Sequence, residues 1–460
     1  MDRRRFMKVS SAAGLSLFTP VNRHAIASED LAPFDGPYWI TINLAGAWDS
    51  TLFCDPKGDV TDETGNGVVN QCYTQEDIVT HTYNGQSVRL APGIRQNGSG
   101  DSYYHYQANG AGEPIHIIDH LSERGLTLIN GIDAGLTNHR FGEQMAMSGS
   151  TQVDFPTLAA LVAYQRLVDR PDRNGPMPLL SFGGYDGSGD LLPVTRLNKL
   201  EVLRQITRPD VFGNGAAEIP MHRASTQNLI DEAVAHRQVR LNNGVRLPTR
   251  RRAMSQLFIA RSKEQHVGEI LREFNFADFE SLSDLRKQSY VALRAFKSGL
   301  SVSANLFLDG WDTHNNNDLG QTNKMWVLFR ALAYIKDAAE SLGIADRLNI
   351  IVGSDFGRTT HYSSVGNPNS GKDHHPVTSW MTMLWDQGRD SGLRVIGETD
   401  HRVLARPLNA ALEPTEDSDG TMLTPALIHN ELRRIAFEGT SGPVISDAYP
   451  LEAPELSLWS

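Results

Sequence analysis

Two stretches decide the fold: Val302-Ser303-Ala304-Asn305-Leu306-Phe307-Leu308-Asp309-Gly310-Trp311-Asp312-Thr313-His314, and further on Leu348-Asn349-Ile350-Ile351-Val352-Gly353-Ser354-Asp355-Phe356-Gly357-Arg358. Each is an apolar, β-branched run that stops at a turn rich in Gly and Asp. Between them, from about Gln321 to Ser341, apolar residues recur at helical spacing. Strand, helix and strand in that order describe a parallel crossover whose strands are covered on both faces. The same kind of run opens the body of the chain, where Tyr38-Trp39-Ile40-Thr41-Ile42-Asn43-Leu44 leads into Ala45-Gly46-Ala47-Trp48-Asp49-Ser50. The expected fold is therefore α/β, with a mostly parallel central sheet sandwiched by helices.

Working outward, residues from about 54 to 106 are rich in Gly, Asn, Asp, Gln and Ser and show little periodicity, which reads as a surface excursion or small subdomain. Its acids Asp55, Asp59, Asp62 and Glu63 follow no calcium-loop spacing and read as a solvated acidic loop. Strands are expected at Ile115-His116-Ile117-Ile118, at Leu126-Thr127-Leu128-Ile129-Asn130-Gly131 and at Leu179-Leu180-Ser181-Phe182. Thr137-Asn138-His139-Arg140 reads as a polar turn, and a helix is expected from Phe155 to about Val168 behind Pro156. From about 198 to 300 the sequence is charged, helix-prone and poor in strand signals, which implies a helical insertion or cap.

The N-terminus reads as an address. Arg3-Arg4-Arg5-Phe6-Met7-Lys8 resembles a twin-arginine export signal, a modest apolar run follows to about Phe18, and Ala25-Ile26-Ala27 offers small residues to a signal peptidase. Residues 1–27 are expected to be a signal cleaved after Ala27, with 28–460 the mature protein, delivered by the twin-arginine translocase to the periplasm or beyond. The apolar run is too short to span a bilayer, so no stable membrane anchor is expected. The net charge of −11 and the absence of a long basic block after the signal argue against nucleic acid as a partner. Cys54 and Cys72 are the two cysteines, and an oxidising compartment would let them close a disulfide; two separate thiols are the alternative.

Chemistry gathers where the strands end. Asp49, then Asp309, Asp312 and His314, then Asp355 each follow an expected strand, while Asp373, His374 and His375 sit in a later loop. Open α/β sheets bind ligands outside the carboxyl ends of their strands. Carboxylates and imidazoles brought together there would suit zinc, manganese or another divalent ion. Taken singly, each Asp is as readily a turn or cap residue and each His a packed one.

Asp309-Gly310-Trp311-Asp312-Thr313-His314-Asn315, Ser354-Asp355-Phe356-Gly357-Arg358-Thr359 and Gly371-Lys372-Asp373-His374-His375 resemble the signatures of a secreted family of uncharacterised proteins, domain of unknown function 1501. That resemblance implies an alkaline phosphatase-like fold, shared with phosphatases, sulfatases and cofactor-independent phosphoglycerate mutases. It implies a metal site made from Asp49, from Asp312 and His314 with Asp309 as a competing choice, from Asp355, and from His374 with His375 replacing or supporting it. Phe356 stands where an Asp-His pair would place its imidazole, so one ion is better provided for than two. The nucleophile's place is held by His139, which can attack phosphorus, bind metal, or mark lost catalysis; Ser148, Ser150 and Thr151 are nearby substitutes. Arg140 and Arg358 can clamp an anionic ester or serve structural ion pairs. The expected function is an exported metal-dependent hydrolase of phosphate or sulfate esters, with an anionic ester as its substrate. The alternative is a non-catalytic periplasmic or cell-envelope binding protein that needs no metal.

Overall fold

The computed structural model describes residues 36–107, 113–169, 177–197, scattered positions between 211 and 240, residue 279, and residues 282–386, 392–417, 419–440 and 442–459. The export signal and cleavage site expected from sequence lie outside these residues, as does most of the insertion expected at about 198–300.

Eight strands form one sheet: β1 (Tyr38–Leu44), β2 (Leu126–Asp133), β3 (Leu179–Ser181), β4 (Val194–Arg196), β5 (Ser303–Leu308), β6 (Leu348–Ser354), β9 (Val377–Leu384) and β10 (Leu393–Ile396), in the order β10-β2-β9-β6-β1-β5-β3-β4. Every residue of β1 is buried, as a strand covered on both faces requires. It pairs in parallel with β5 on one side and β6 on the other. The sheet is mixed, which corrects the mostly parallel sheet expected from sequence: β9 runs antiparallel to both β6 and β2. The physical cause lies between Ser354 and Val377. There the chain makes a hairpin of β7 (Gly357–Tyr362) and β8 (Lys372–His375) and re-enters the sheet directly. A parallel return would have needed a crossover, usually a helix.

Helices cover both faces. Alternate β1 residues Tyr38, Ile40, Ile42 and Leu44 pack in one core with α1 (Ile117–Ser122), α4 (Asp284–Lys297) and α5 (Asn317–Ser341). Trp39 faces the other side, towards α2 (His139–Ser148), α3 (Leu158–Asp169) and α6 (Pro425–Ala436). The α4 segment thus belongs to the helix layer of the domain, although it falls inside the stretch expected as an insertion. Residues 115–118 are a correction of another kind, because only Ile115–His116 is extended and the chain then turns into α1.

The excursion from 54 to 106 is docked rather than loose. A ribbon of Val79–Tyr83 against Gln86–Leu90 turns at Asn84-Gly85, both with positive φ, and Phe53, Tyr73, Val88, Leu90, Tyr103 and Tyr104 join the main core. Cys54 and Cys72 are separate thiols, contrary to the disulfide expected for them. Cys54 Sγ is 3.1 Å from Asn130 Oδ1 in the core, while burial and the nearby Asp318 carboxylate push the Cys72 thiol up. Among the described residues, no helix is long and apolar enough to cross a membrane.

Candidate metal centre

The strands β1, β2, β5 and β6 all run the same way, so their carboxyl ends share one edge of the sheet, and β9 begins at that edge. Five segments therefore meet there: the turn after β1, the start of α2, the Asp309–Asn315 loop after β5, the turn after β6, and the end of β8. Two glycines allow the close approach. Gly46 has φ of +114°, and a Cβ there would strike the Asp312 backbone; one on Gly371 would overlap the His314 carbonyl.

Three imidazoles and one carboxylate converge. His374 Nε2 lies 3.2 Å from His139 Nε2 and 3.0 Å from His314 Nε2. The Asp312 carboxylate lies 3.7 Å from His139 Nε2, 3.1 Å from His314 Nε2 and 3.2 Å from His374 Nε2. Asp312 turns Oδ2 towards His139 and Oδ1 towards His314 and His374, and the donors form two overlapping groups, each within 4.8 Å: His139, Asp312 and His374, and His314, Asp373 and His374. With zinc bonds of roughly 2.0–2.1 Å, donor–donor separations in a tetrahedral site are about 3.3–3.4 Å. The contacts around His374 come close to that spacing, which makes these side chains a candidate set for one divalent ion.

The surrounding contacts orient these donors. His139 opens α2 behind the Asn138 cap, and its Nδ1 donates to Asp355 Oδ2 at 2.6 Å, leaving Nε2 to face the cluster. That hydrogen bond, against the opposing effect of burial, raises the His139 pKa. Asp355 is not a donor to the centre. Its side chain is 0% exposed and also accepts from Ala47 N at 2.6 Å, Gly46 N at 3.2 Å and Ser354 Oγ at 3.1 Å. This is the carboxylate–histidine arrangement that fixes a ligand's tautomer. Asp373 Oδ1 stands 3.7 Å from His314 Nδ1, beyond hydrogen-bond reach, and accepts from His374 N at 2.8 Å. Burial lowers the His374 pKa, with Asp312 opposing it; Asp312 itself is held below the carboxylate range because bonds from Arg358 and His374 outweigh its burial. Phe356 forms an apolar wall, its ring 4.8 Å from both His139 and His374.

The remaining expected site residues lie elsewhere. Asp49 is buried beneath the centre, 2.8 Å from Lys372 Nζ and 3.0 Å from Asn317 Nδ2, and also accepts from Thr51. All its oxygens are engaged in that network. Asp309 turns outward, its side chain 78% exposed and 3.8 Å from Lys324 Nζ. His375 is buried with Nδ1 accepting from Val377 N, and burial lowers its pKa. Arg358 is fully buried: it donates to the carbonyls of Gly46, Ala47, Trp311 and Lys372 and to Asp312 Oδ1 at 2.8 Å. It braces the loops and reaches the centre only through Asp312. Arg140 is exposed beside His139 on the first turn of α2. Ser148 and Ser150 are buried at the far end of α2, where Ser148 Oγ bonds to the Gln144 and Ser150 carbonyls.

Sequence reading missed Glu143. Burial and the Asp355 charge push its carboxyl up to about 7, with His139 opposing. The available signal was its place one helical turn after His139. It missed Lys372 as well, whose ammonium is buried against Asp49.

The family model described as protein of unknown function, DUF1501, matches residues 38–403. No curated protein sequence matches the chain. A solved structure, described as the crystal structure of Ps i-CgsB in complex with k-i-k-neocarrahexaose, is similar at 10% identity and covers 92% of this chain and 76% of that one. Its TM-score of 0.34 is too low to carry an argument about fold or function. The match over residues 38–403, which takes in the Asp312, Asp355 and His374 segments, makes this chain a member of the DUF1501 family.

Proposed function

We propose that this is an exported metal-dependent hydrolase of phosphate or sulfate esters, built on an alkaline phosphatase-like scaffold. The observation that carries the reading is the convergence of His139, His314 and His374 Nε2 with the Asp312 carboxylate at the carboxyl edge of the sheet. Three imidazoles and one carboxylate favour zinc over manganese, whose preference is for oxygen donors. A divalent ion held there supplies a charge that polarises an ester oxygen and makes water more acidic.

The chain's own residues do the rest. Asp355 holds His139 in the tautomer that keeps its Nε2 lone pair free, and Asp373 places a negative charge near His314. Arg358 fixes Asp312 from behind, so the carboxylate cannot swing away. Phe356 walls off one side and keeps water from the back of the imidazoles. Arg140, exposed at the start of α2, is the cation placed to meet the anionic ester. Among the described residues, the polar side chains touching the cluster are imidazole, carboxylate and guanidinium, so water is the nucleophile in this reading. His139 is a ligand in it, not the attacking group.

The test is elemental analysis of the exported protein, followed by a screen of phosphate and sulfate esters with wild type and His374→Ala. Bound zinc and turnover that disappear together support the hydrolase. Zinc without turnover of any ester would leave the non-catalytic envelope-binding role, and an absence of both would refute the metal centre.

A further inference from the structure

A second group of metal-ligating side chains lies outside this centre. His81 sits in the ribbon strand Val79–Tyr83, His116 immediately precedes α1, and Asp119 is in the first turn of α1. One donor atom from each lies within 4.8 Å of the others. We propose that these three side chains bind a second divalent ion of the zinc class, which clips the ribbon to the α/β body.

Four observations support the assignment. His81 Nε2 is 2.7 Å from Asp119 Oδ1, so two of the donors are already side by side. His116 stacks on His81 at 4.0 Å between ring centroids and on Tyr104 at 4.9 Å, which holds the two imidazoles next to one another; a tilt of one ring out of the stack would bring both lone pairs to one ion. Its Nδ1 is buried without any hydrogen-bond partner, a state that is costly for an imidazole nitrogen and that an incoming ligand relieves. The Asp119 side chain is 42% exposed, so an ion can enter from solvent. Two imidazoles and a carboxylate with an open fourth position are a recurrent zinc set. His105, directly across from His116 in the short antiparallel ladder, adds an exposed imidazole at the rim.

The two centres cannot share an ion. His120, next to Asp119, bonds Asp337 near the far end of α5, whereas Asn317 at the start of α5 lies beneath the first centre. The 20 residues between them span roughly 30 Å of helix. The physical role follows from the topology. The ribbon meets the body through side-chain packing and not through the main sheet. An ion bound to His81 on one part and to His116 and Asp119 on the other would oppose its opening, because binding free energy to a site that exists only in the closed form adds to the stability of that form.

The experiment compares zinc content and cobalt(II) absorption in four exported proteins: wild type, a His314→Ala/His374→Ala double variant, His81→Gln, and the triple combination. His81→Gln keeps a donor for Asp119, and circular dichroism confirms the fold of each. The expected result is about two ions in wild type, about one in the double variant and in His81→Gln, and none in the triple variant. Zinc should also slow proteolysis within the ribbon of the double variant about tenfold, an effect absent once His81 is replaced. A double variant that holds no ion, or one that keeps its ion after His81→Gln, overturns the proposal. If wild type holds a single ion lost on His81→Gln but not in the double variant, the second site stands and the hydrolase centre falls.

Discussion

Asp355→Asn offers the sharpest test of how the first centre is held, because it changes one buried atom and no volume. The carboxylate serves four donors: Ala47 N and Ser354 Oγ meet Oδ1, His139 Nδ1 meets Oδ2 at 2.6 Å, and Gly46 N lies between the two oxygens. An amide has one acceptor oxygen. If that oxygen serves Ala47 and Ser354, the NH2 faces His139 Nδ1 and forces the imidazole proton onto Nε2, the atom aimed at the ion. If the amide turns over, the NH2 meets the Ala47 N–H and leaves a buried donor unpaired, at about 1–3 kcal/mol of stability. The first orientation removes a ligand lone pair. Loss of such an orienting partner weakens metal binding by about 10–100-fold, or about 1.4–2.8 kcal/mol. The assay is zinc affinity by competition with a chromogenic chelator, with unfolding free energy measured in excess chelator to isolate the effect on the fold. An affinity within about threefold of wild type, with unchanged apo stability, would refute the claim that Asp355 sets the His139 tautomer.

Four further outcomes are expected. Gly371→Ala places a methyl against the His314 carbonyl, so the β8 strand must move away from the Asp309–Asn315 loop; about 1–3 kcal/mol of stability should be lost with most of the zinc, read by chemical denaturation and elemental analysis. Glu143→Gln should stabilise the apo protein at pH 8 by about 1–2 kcal/mol, discounted for partial exposure. Its carboxyl is pushed up to about 7, so the folded protein loses stability as pH rises from the ordinary carboxylate range to about 7; a stability–pH curve with the same slope in the variant would contradict this. His429, buried with Nε2 donating to the Ala146 carbonyl, has a pKa lowered to about 3 by burial; its neutral form stabilises the fold above about pH 6.5, and stability should fall by up to about 1.4 kcal/mol per unit as pH drops from there towards 3, less steeply in His429→Gln. Cys54 and Cys72 should both titrate with a thiol reagent in denaturant without reductant, and a chain with no titratable thiol would reinstate the disulfide.

The central strands were legible because burial on both faces writes itself as continuous apolar runs. Tyr38–Leu44 is β1 as read, and the runs before Asp309 and Asp355 are β5 and β6. What stayed hidden depended on direction. Val377–Leu384 is as buried as β1, but its antiparallel course follows from the hairpin before it, and a buried run carries no mark of which way it lies beside its neighbours. The Asn84-Gly85 turn was a missed local signal of a different kind, since that pair is a strong hairpin cue in its own right. Elsewhere the excursion reads as loop because its order comes from Phe53, Tyr103 and Tyr104 packing on Phe329, a distant partner that no window of sequence contains.

The candidate site shows where the rule about strand ends stops being informative. It identified the right segments, since Asp312, His314, Asp355 and His374 all arrive at one edge, and it flagged His139 as well. It could not sort donors from supports. Asp309 and Asp312 occupy the same loop three residues apart, yet one turns out to Lys324 and the other in to three imidazoles, because Arg358 and the Gly46 contact fix the backbone only around Asp312. Asp49 and Asp355 follow adjacent parallel strands, yet the first is neutralised by Lys372 and the second is spent on His139 and two backbone amides. A carboxylate is free to ligate only if one of its oxygens is left over: Asp312 gives Oδ1 to Arg358 and turns Oδ2 towards His139, whereas both oxygens of Asp49 and of Asp355 are taken, in part by groups hundreds of residues away. Lys372, at the start of β8 and two residues before His374, is therefore as informative about Asp49 as any feature around Asp49 itself: a buried ammonium beside a buried carboxylate, with the other oxygen already bonded to Thr51, removes that carboxylate from the ligand set.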